Sequence, residues 1–150
     1  MKNKTVVFIG HRACPGLTEH QLLLVIEKRI HEGYTHFLSG GMGQFDWLCA
    51  RCVSSLKTRY PHLKNILIVP YVPFSIQEPS YFDEILYPVM LGQASFSSAI
   101  PKRNQYLVDH ASLALCYVDH PWGGAAKTYQ YARKKALKLI NLGALSTDLP

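Results

Sequence analysis

Three glycine-bearing turns, Gly10-His11-Arg12, Gly40-Gly41-Met42-Gly43 and Gly123-Gly124, combine backbone that can approach an anion closely with polar side chains nearby. A side chain at such glycines would hold a phosphate away from the backbone amides, and turns of this kind often require positive φ. Ser39 precedes the second turn, and Thr128 stands one helical turn beyond the third. Arg12 and the run Lys102-Arg103-Asn104 supply cations and an amide, and guanidinium groups match phosphate geometry. This is anion-binding chemistry. Asp46 differs, because a carboxylate in the first turn of a helix is stabilised by the dipole but repels a phosphate. It suits a ribose hydroxyl or a base, or acid-base work. The same residues also fit plainer roles, Asp46 as a helix-start acid and the cations as a solvated basic surface.

Established fingerprints fail at these turns. After Gly41 and Gly43 the third glycine of G-x-G-x-x-G is replaced by Asp46, and the P-loop pattern fails because Ala126 precedes Lys127-Thr128 and Pro121 stands where its first glycine belongs. Ordinary dinucleotide dehydrogenases and P-loop NTPases are therefore set aside. Cys49 and Cys52 lie three residues apart among Leu48, Val53 and Leu56, which reads as buried core, and no second cysteine pair completes a zinc site. No metal site is expected. Of the seven dispersed histidines, only His11 has a positional argument for a site.

The elements that must position these residues follow from periodicity. Lys4 to Gly10 is a β-branched run ending in glycine, the pattern of a strand buried on both faces. Thr18 and Gln21 form a capping box with Leu17 and Leu22 as its hydrophobic staple, so a helix starts at Thr18 and ends at Gly33. Further strands are expected at Thr35 to Ser39, Asn65 to Val69, Leu113 to Val118 and Leu139 to Leu142. Helices are expected from Gln44 to about Tyr60, over a turn or two at Lys102 to His110, and from Ala125 to about Leu137. Pro70 to Pro101 holds five prolines and reads as an ordered insertion with a short helix near Tyr81 to Tyr87, serving as a lid or as loop packing. Alternating strands and helices predict one domain over residues 1–150, a Rossmann-like three-layer α/β/α fold with a mostly parallel sheet of about five strands. In such sheets ligands bind beyond the carboxyl ends of the strands, where all three glycine turns lie.

Composition bounds the rest. With 150 residues, 48% hydrophobic and 17% charged, the chain can bury its own core without disulfides, and its four cysteines read as reduced. The apolar runs fall far short of a membrane span and the N-terminus runs directly into a strand, so a cytoplasmic location is expected. Sixteen Lys and Arg against ten Asp and Glu give a net charge of +6, which favours anionic partners. Arg133, Lys134, Lys135 and Lys138 form a basic face, either solvated or facing nucleic-acid phosphates.

The conjunction of Phe8-Ile9-Gly10-His11-Arg12, Ser39-Gly40-Gly41-Met42-Gly43-Gln44-Phe45-Asp46, Arg103-Asn104-Gln105-Tyr106-Leu107-Val108-Asp109 and Gly123-Gly124 with Thr128 resembles the SLOG superfamily. It looks most like the YpsA and YoqJ branch, a domain of unknown function. The resemblance spans nearly the whole chain. It implies a pocket for a nucleotide or nucleotide-derived ligand of the NAD, ADP-ribose or mononucleotide type, with Gly10, Arg12, Gly40, Gly41, Gly43 and Asp46 on one side. Arg103, Asn104, Gly123, Gly124 and Thr128 would form the other. Relatives include LOG phosphoribohydrolases, DprA single-strand DNA binders and bacterial sensor domains, and they are often dimers, so the resemblance allows a homodimer. LOG enzymes carry P-G-G-x-G-T-x-x-E, whereas Gly123 to Tyr131 lacks the third glycine and the Glu. Asp46 is then the nearby candidate for acid-base catalysis. The readings in play are a nucleotide sensor or regulator, a hydrolase of N-glycosidic or phosphate bonds, and a single-strand nucleic-acid binder.

Overall fold

Every residue from Thr5 to Ile9 is buried in the strand Thr5–Gly10 (β1), which requires cover on both faces of the sheet. The computed structural model describes residues 1–144 and supplies that cover in three layers. The chain continues through α1 (Glu19–His31), β2 (His36–Ser39), α2 (Gln44–Leu56), β3 (Lys64–Ile68), β4 (Glu84–Leu86), α3 (Phe96–Asp109), β5 (Leu113–Tyr117), α4 (Gly124–Lys134) and β6 (Lys138–Asn141). All strand pairs are parallel, in the order β4-β3-β2-β1-β5-β6. The fold is a Rossmann-like three-layer α/β sandwich.

The period-2 alternation of the strands builds two cores. Val6, Phe8, Phe37, Leu113 and Leu115 pack on one face with Leu22 and Ile26 of α1 and Phe45, Cys49 and Val53 of α2. Val7, Ile9, Leu38, Ile66 and Ala114 pack on the other with Leu107 and Val108 of α3 and Ala126, Tyr129 and Ala132 of α4. The first helix starts as expected, with Thr18 Oγ1 accepting from Gln21 N at 3.1 Å and Thr18 N donating to Gln21 Oε1 at 2.9 Å. Gly33 takes φ +104° at its end. The four cysteines are buried, and among the described residues no helix is long and apolar enough to cross a membrane.

The insertion departs from expectation. No helix forms near Tyr81 to Tyr87; instead Glu84–Leu86 adds a sixth strand beside β3, flanked by 3-10 turns at Pro79–Tyr81 and Val89–Gln93. The cause is Asn65, a polar residue wholly buried in β3. Its Nδ2 donates to Tyr81 O at 2.8 Å and Ala50 O at 3.0 Å, and its backbone N–H donates to Asp83 Oδ2 at 2.8 Å. Lys57 of the preceding segment pairs with Asp83. These donor bonds tie the insertion to β3 and bring Glu84–Leu86 alongside it, while Asn65 Oδ1 stays without a partner among the described residues. The helix expected from Lys102 starts earlier, at Phe96, and carries Pro101 inside it. As the sixth residue of the helix Pro101 lies past the first turn, so it removes the N–H that would bond the Ser97 carbonyl, and the helix continues past it.

Arg103 of α3 ties together the ends of the neighbouring strands β2 and β3. It is 2% exposed, and its Nη1 donates to the carbonyls of Gly40 and Ile68, each at 2.8 Å, at the ends of β2 and β3. Its Nε donates to Asn104 Oδ1 at 2.9 Å. A Cβ on Gly40 would lie 2.7 Å from Arg103 Cζ, so this glycine makes room for the guanidinium. Arg103→Met, which leaves two buried carbonyls unpaired, is expected to lower the unfolding free energy by about 2–6 kcal/mol. Gly40→Ala is expected to destabilise the wild type and to cost markedly less in the Arg103→Met background. Urea denaturation of the four proteins checks this, and additive costs would refute the coupling.

Candidate functional site

The chain lays β1, β2, β3 and β4 to one side and then returns past β1 to place β5 and β6 on the other, so the strand order reverses between β1 and β5. The turns after these two strands diverge and leave a crevice at their carboxyl ends. A cleft of about 560 Å³ occupies it, within the usual range of small-molecule sites. Its walls come from the turn Gly10 to Ala13, from Gly40, Met42 and Asp46 around the start of α2, from Ile100, Arg103, Asn104 and Leu107 of α3, and from Asp119 and His120 with Gly123, Gly124, Ala125 and Thr128 at the start of α4.

Most of the residues expected at a site meet here. Gly10, His11, Arg12, Gly40, Asp46, Arg103, Asn104, Gly123, Gly124 and Thr128 line one cleft. Ser39, Gly41 and Gly43 do not. Ser39 is wholly buried with its Oγ unpartnered, and Gly41, at φ +66°, packs on Leu67. Gly43 packs on the Arg12 backbone and lines a separate recess beside Trp47. Gly10 and Gly40 line the cleft, yet the protein's own packing already requires them: a Cβ on Gly10 would overlap the Phe45 ring, and one on Gly40 the Arg103 guanidinium. Of the glycines lining the cleft, Gly123 and Gly124 have no protein atom within 4 Å of an added Cβ, and Gly123 takes φ +94°, which by itself favours glycine.

The electrostatics divide the cleft. At one end, α4 begins at Gly123 with no side-chain cap and no acidic residue in its first turn, so its leading amides stay available and carry the positive end of the dipole. Thr128 Oγ1 donates to Gly124 O at 2.9 Å, which fixes this turn. Arg12 is exposed on the facing loop, which Gln44 holds through Gln44 N to Arg12 O at 2.8 Å and Cys14 N to Gln44 Oε1 at 3.0 Å. Asn104 turns its Oδ1 to Arg103, which leaves its Nδ2 as the donor toward the cleft.

Asp46 faces the other end. It is 8% exposed, and Oδ2 accepts from Met42 N at 3.0 Å, reaching back over the start of α2. Burial raises its pKa to about 6 against the opposing pull of the Met42 N–H and the Arg103 charge. Burial in turn brings Arg103 down to about 10, with Asp46 and Tyr71 holding it up.

Two residues that sequence reasoning passed over complete the wall, Asp119 and His120. His120 Nδ1 lies 2.7 Å from Asp119 Oδ1, and His11 Nε2 lies 3.6 Å from the same oxygen. The His11 and His120 rings stack at 3.5 Å, and Trp122 lies 4.3 Å beyond His120. Burial and then the neighbouring His120 lower the His11 pKa, with Asp119 opposing. The available signal was position: Asp119 and His120 directly follow a strand that ends at the same edge as His11.

No protein-family model matches the chain. The chain is 28% identical, over 91% of its length and 87% of the other's, to the uncharacterised SPbeta prophage-derived protein YoqJ of Bacillus subtilis strain 168. Among solved structures it resembles DNA processing protein A of Helicobacter pylori, described for its single-stranded DNA binding mode, with a TM-score of 0.68 and 13% identity over 98% of this chain and 71% of that one. DNA processing protein A of Streptococcus pneumoniae gives a TM-score of 0.70 and 16% identity over 98% of this chain and 53% of that one. The structural-genomics target TM1055 gives 0.65 and 15% over 97% and 78%. At these identities the solved structures share the fold with this chain: the three-layer parallel α/β architecture is common to all of them.

Proposed function

We propose that the cleft binds a nucleotide or nucleotide-derived ligand and that the protein acts as a sensor or regulator. One observation carries the reading: the uncapped start of α4, headed by Gly124 with no protein atom within 4 Å of an added Cβ, opens into the cleft at the point where strand order reverses. A phosphate fits there, on the amides of Gly124 and Ala125 and opposite Arg12. Asp46 at the other end repels a phosphate and suits a hydroxyl-bearing ribose. Helix α4 carries no carboxylate along its length, which favours binding over glycosidic cleavage from that helix.

A thermal-shift series with NAD, ADP-ribose, AMP and other mononucleotides tests the reading. A ligand at about a hundred times its Kd adds about 2.7 kcal/mol, or roughly 5–10 °C for a domain of this size. A shift with one nucleotide class is expected. A shift only with single-stranded oligonucleotide, lost as salt is raised, would replace this reading with nucleic-acid binding like that of the DNA processing protein A neighbours. Gly124→Leu, whose side chain meets open space in the protein, is expected to keep the wild-type Tm and lose the ligand-induced shift.

A second reading, hydrolysis of the ligand, draws on Asp46, whose pKa near 6 inside the cleft fits a group that exchanges protons near neutrality. The same shift has a sign in stability. The folded pKa exceeds the ordinary 3.8, so ionising Asp46 opposes folding: the cost is absent at low pH and grows as pH rises from about 4 through about 6. The unfolding free energy of wild type minus that of Asp46→Asn is expected to fall by about 2.4 kcal/mol between about pH 4 and about pH 7. Denaturant melts across that range check it, and a flat difference would remove Asp46 as a perturbed acid. Turnover of a bound nucleotide that disappears in Asp46→Asn would establish the hydrolase.

A further inference from the structure

The histidine and carboxylate wall of the cleft has no role in the phosphate and ribose arrangement described above. It is assembled by the register of two neighbouring strands. Gly10 pairs with Tyr117 across β1 and β5, so the turn carrying His11 and the turn carrying Asp119 and His120 leave the sheet side by side. One nitrogen or oxygen from each of the three residues lies within 4.8 Å of the others.

His11 shows that the cluster lacks a component. It is 8% exposed, and its Nε2 has no hydrogen-bond partner, while the nearest oxygen, Asp119 Oδ1, stands at 3.6 Å. The His120 backbone beside the ring favours a proton on His11, and in the tautomer that carries it on Nδ1 the ring presents its Nε2 lone pair to the cluster, as metal-binding histidines do. A buried acceptor left unpaired costs free energy, and a cation seated on it removes that cost.

We propose that His11, Asp119 and His120 bind a divalent transition cation of the zinc or manganese type. Two imidazoles and one carboxylate are a mixed nitrogen and oxygen set, which favours such ions over magnesium or calcium. The carboxylate now receives the His120 Nδ1 proton at 2.7 Å; for the ion to enter, the ring passes to its Nε2–H tautomer by proton exchange with solvent, which frees Nδ1 and the Asp119 oxygen as ligands. The two rings lie face to face at 3.5 Å and 7°, so a shared ion turns one of them out of the stack. His120, whose side chain is 31% exposed against 9% for His11, is the ring that moves. Three protein ligands leave further coordination positions open toward the cleft, beside the start of α4, where an anionic oxygen of a bound ligand can complete the shell.

The site is independent of the nucleotide reading, and its test contains no nucleotide. Calorimetric titration of the metal-free protein with zinc is expected to give one ion per chain with a Kd in the micromolar range or tighter. His11→Gln, Asp119→Asn and His120→Gln are each expected to weaken it at least as much as loss of an outer-shell partner does, about 10–100-fold, with wild-type circular dichroism. If Asp119→Asn does not fold, the exposed His120→Gln carries the test. Cobalt in place of zinc is expected to show ligand-field bands without thiolate charge transfer. Trp122 is 68% exposed and stands against His120, so in a Trp47→Phe background its emission is expected to change as the ion binds. Absence of stoichiometric binding, equal affinity in the three variants, a thiolate charge-transfer band that assigns the ion to the cysteines, or unchanged Trp122 emission at saturation would overturn the proposal.

Discussion

A positive charge sealed inside the protein governs the arrangement around it. The Arg103 guanidinium is removed from water, and a buried charge persists only if its donors and its field are answered. Carbonyls at the ends of β2 and β3 answer the donors, and the Asp46 carboxylate answers the field. Each answer constrains the chain: residue 40 must be glycine, α3 must extend far enough to bring Arg103 over the strand ends, and α2 must begin where Asp46 can both reach back to Met42 and face the cleft. The floor of the cleft is thus rigid for reasons of desolvation, before any ligand is considered.

That constraint sorts the glycines and the charges. Gly10, Gly40, Gly41 and Gly43 are small because Phe45, Arg103, Leu67 and Arg12 occupy the space beside them. Gly123 and Gly124 are small beside open space. Asp46 lies at the far end of the cleft from the start of α4, which has no acid in its first turn and faces an exposed arginine, while Asp119 on the turn before it is engaged by His120. A cleft with one end prepared for negative charge and the other against it orients an asymmetric ligand by electrostatics alone.

The likeness to DNA processing protein A and TM1055 at 13% to 16% identity fits this division of labour. Two-faced strands and helices can be rebuilt from many apolar sequences provided volume and alternation are kept. The turns at the carboxyl ends are free to carry different chemistry on the same frame. The stack of His11, His120 and Trp122 sits on such turns, held by strand register and not by the core.

Local physics alone determined much of this protein. The continuous apolar runs Val6 to Ile9 and Leu113 to Tyr117, the Thr18 and Gln21 box and the glycine after the first helix specify strands, a helix and its limits through interactions within a few residues. They also place the three glycine turns on one edge. The sequence could not show which glycines serve packing and which face open space, because Phe45 and Arg103 reach Gly10 and Gly40 only after α2 and α3 dock. Nor could it show that Arg103 is buried and occupied by carbonyls, that Asn65 would pull a sixth strand into the sheet, or that Asp119 and His120 would stand against His11. Those outcomes depend on strand order and on the cost of leaving a buried polar group unpaired, and both exist only once distant parts of the chain are brought together.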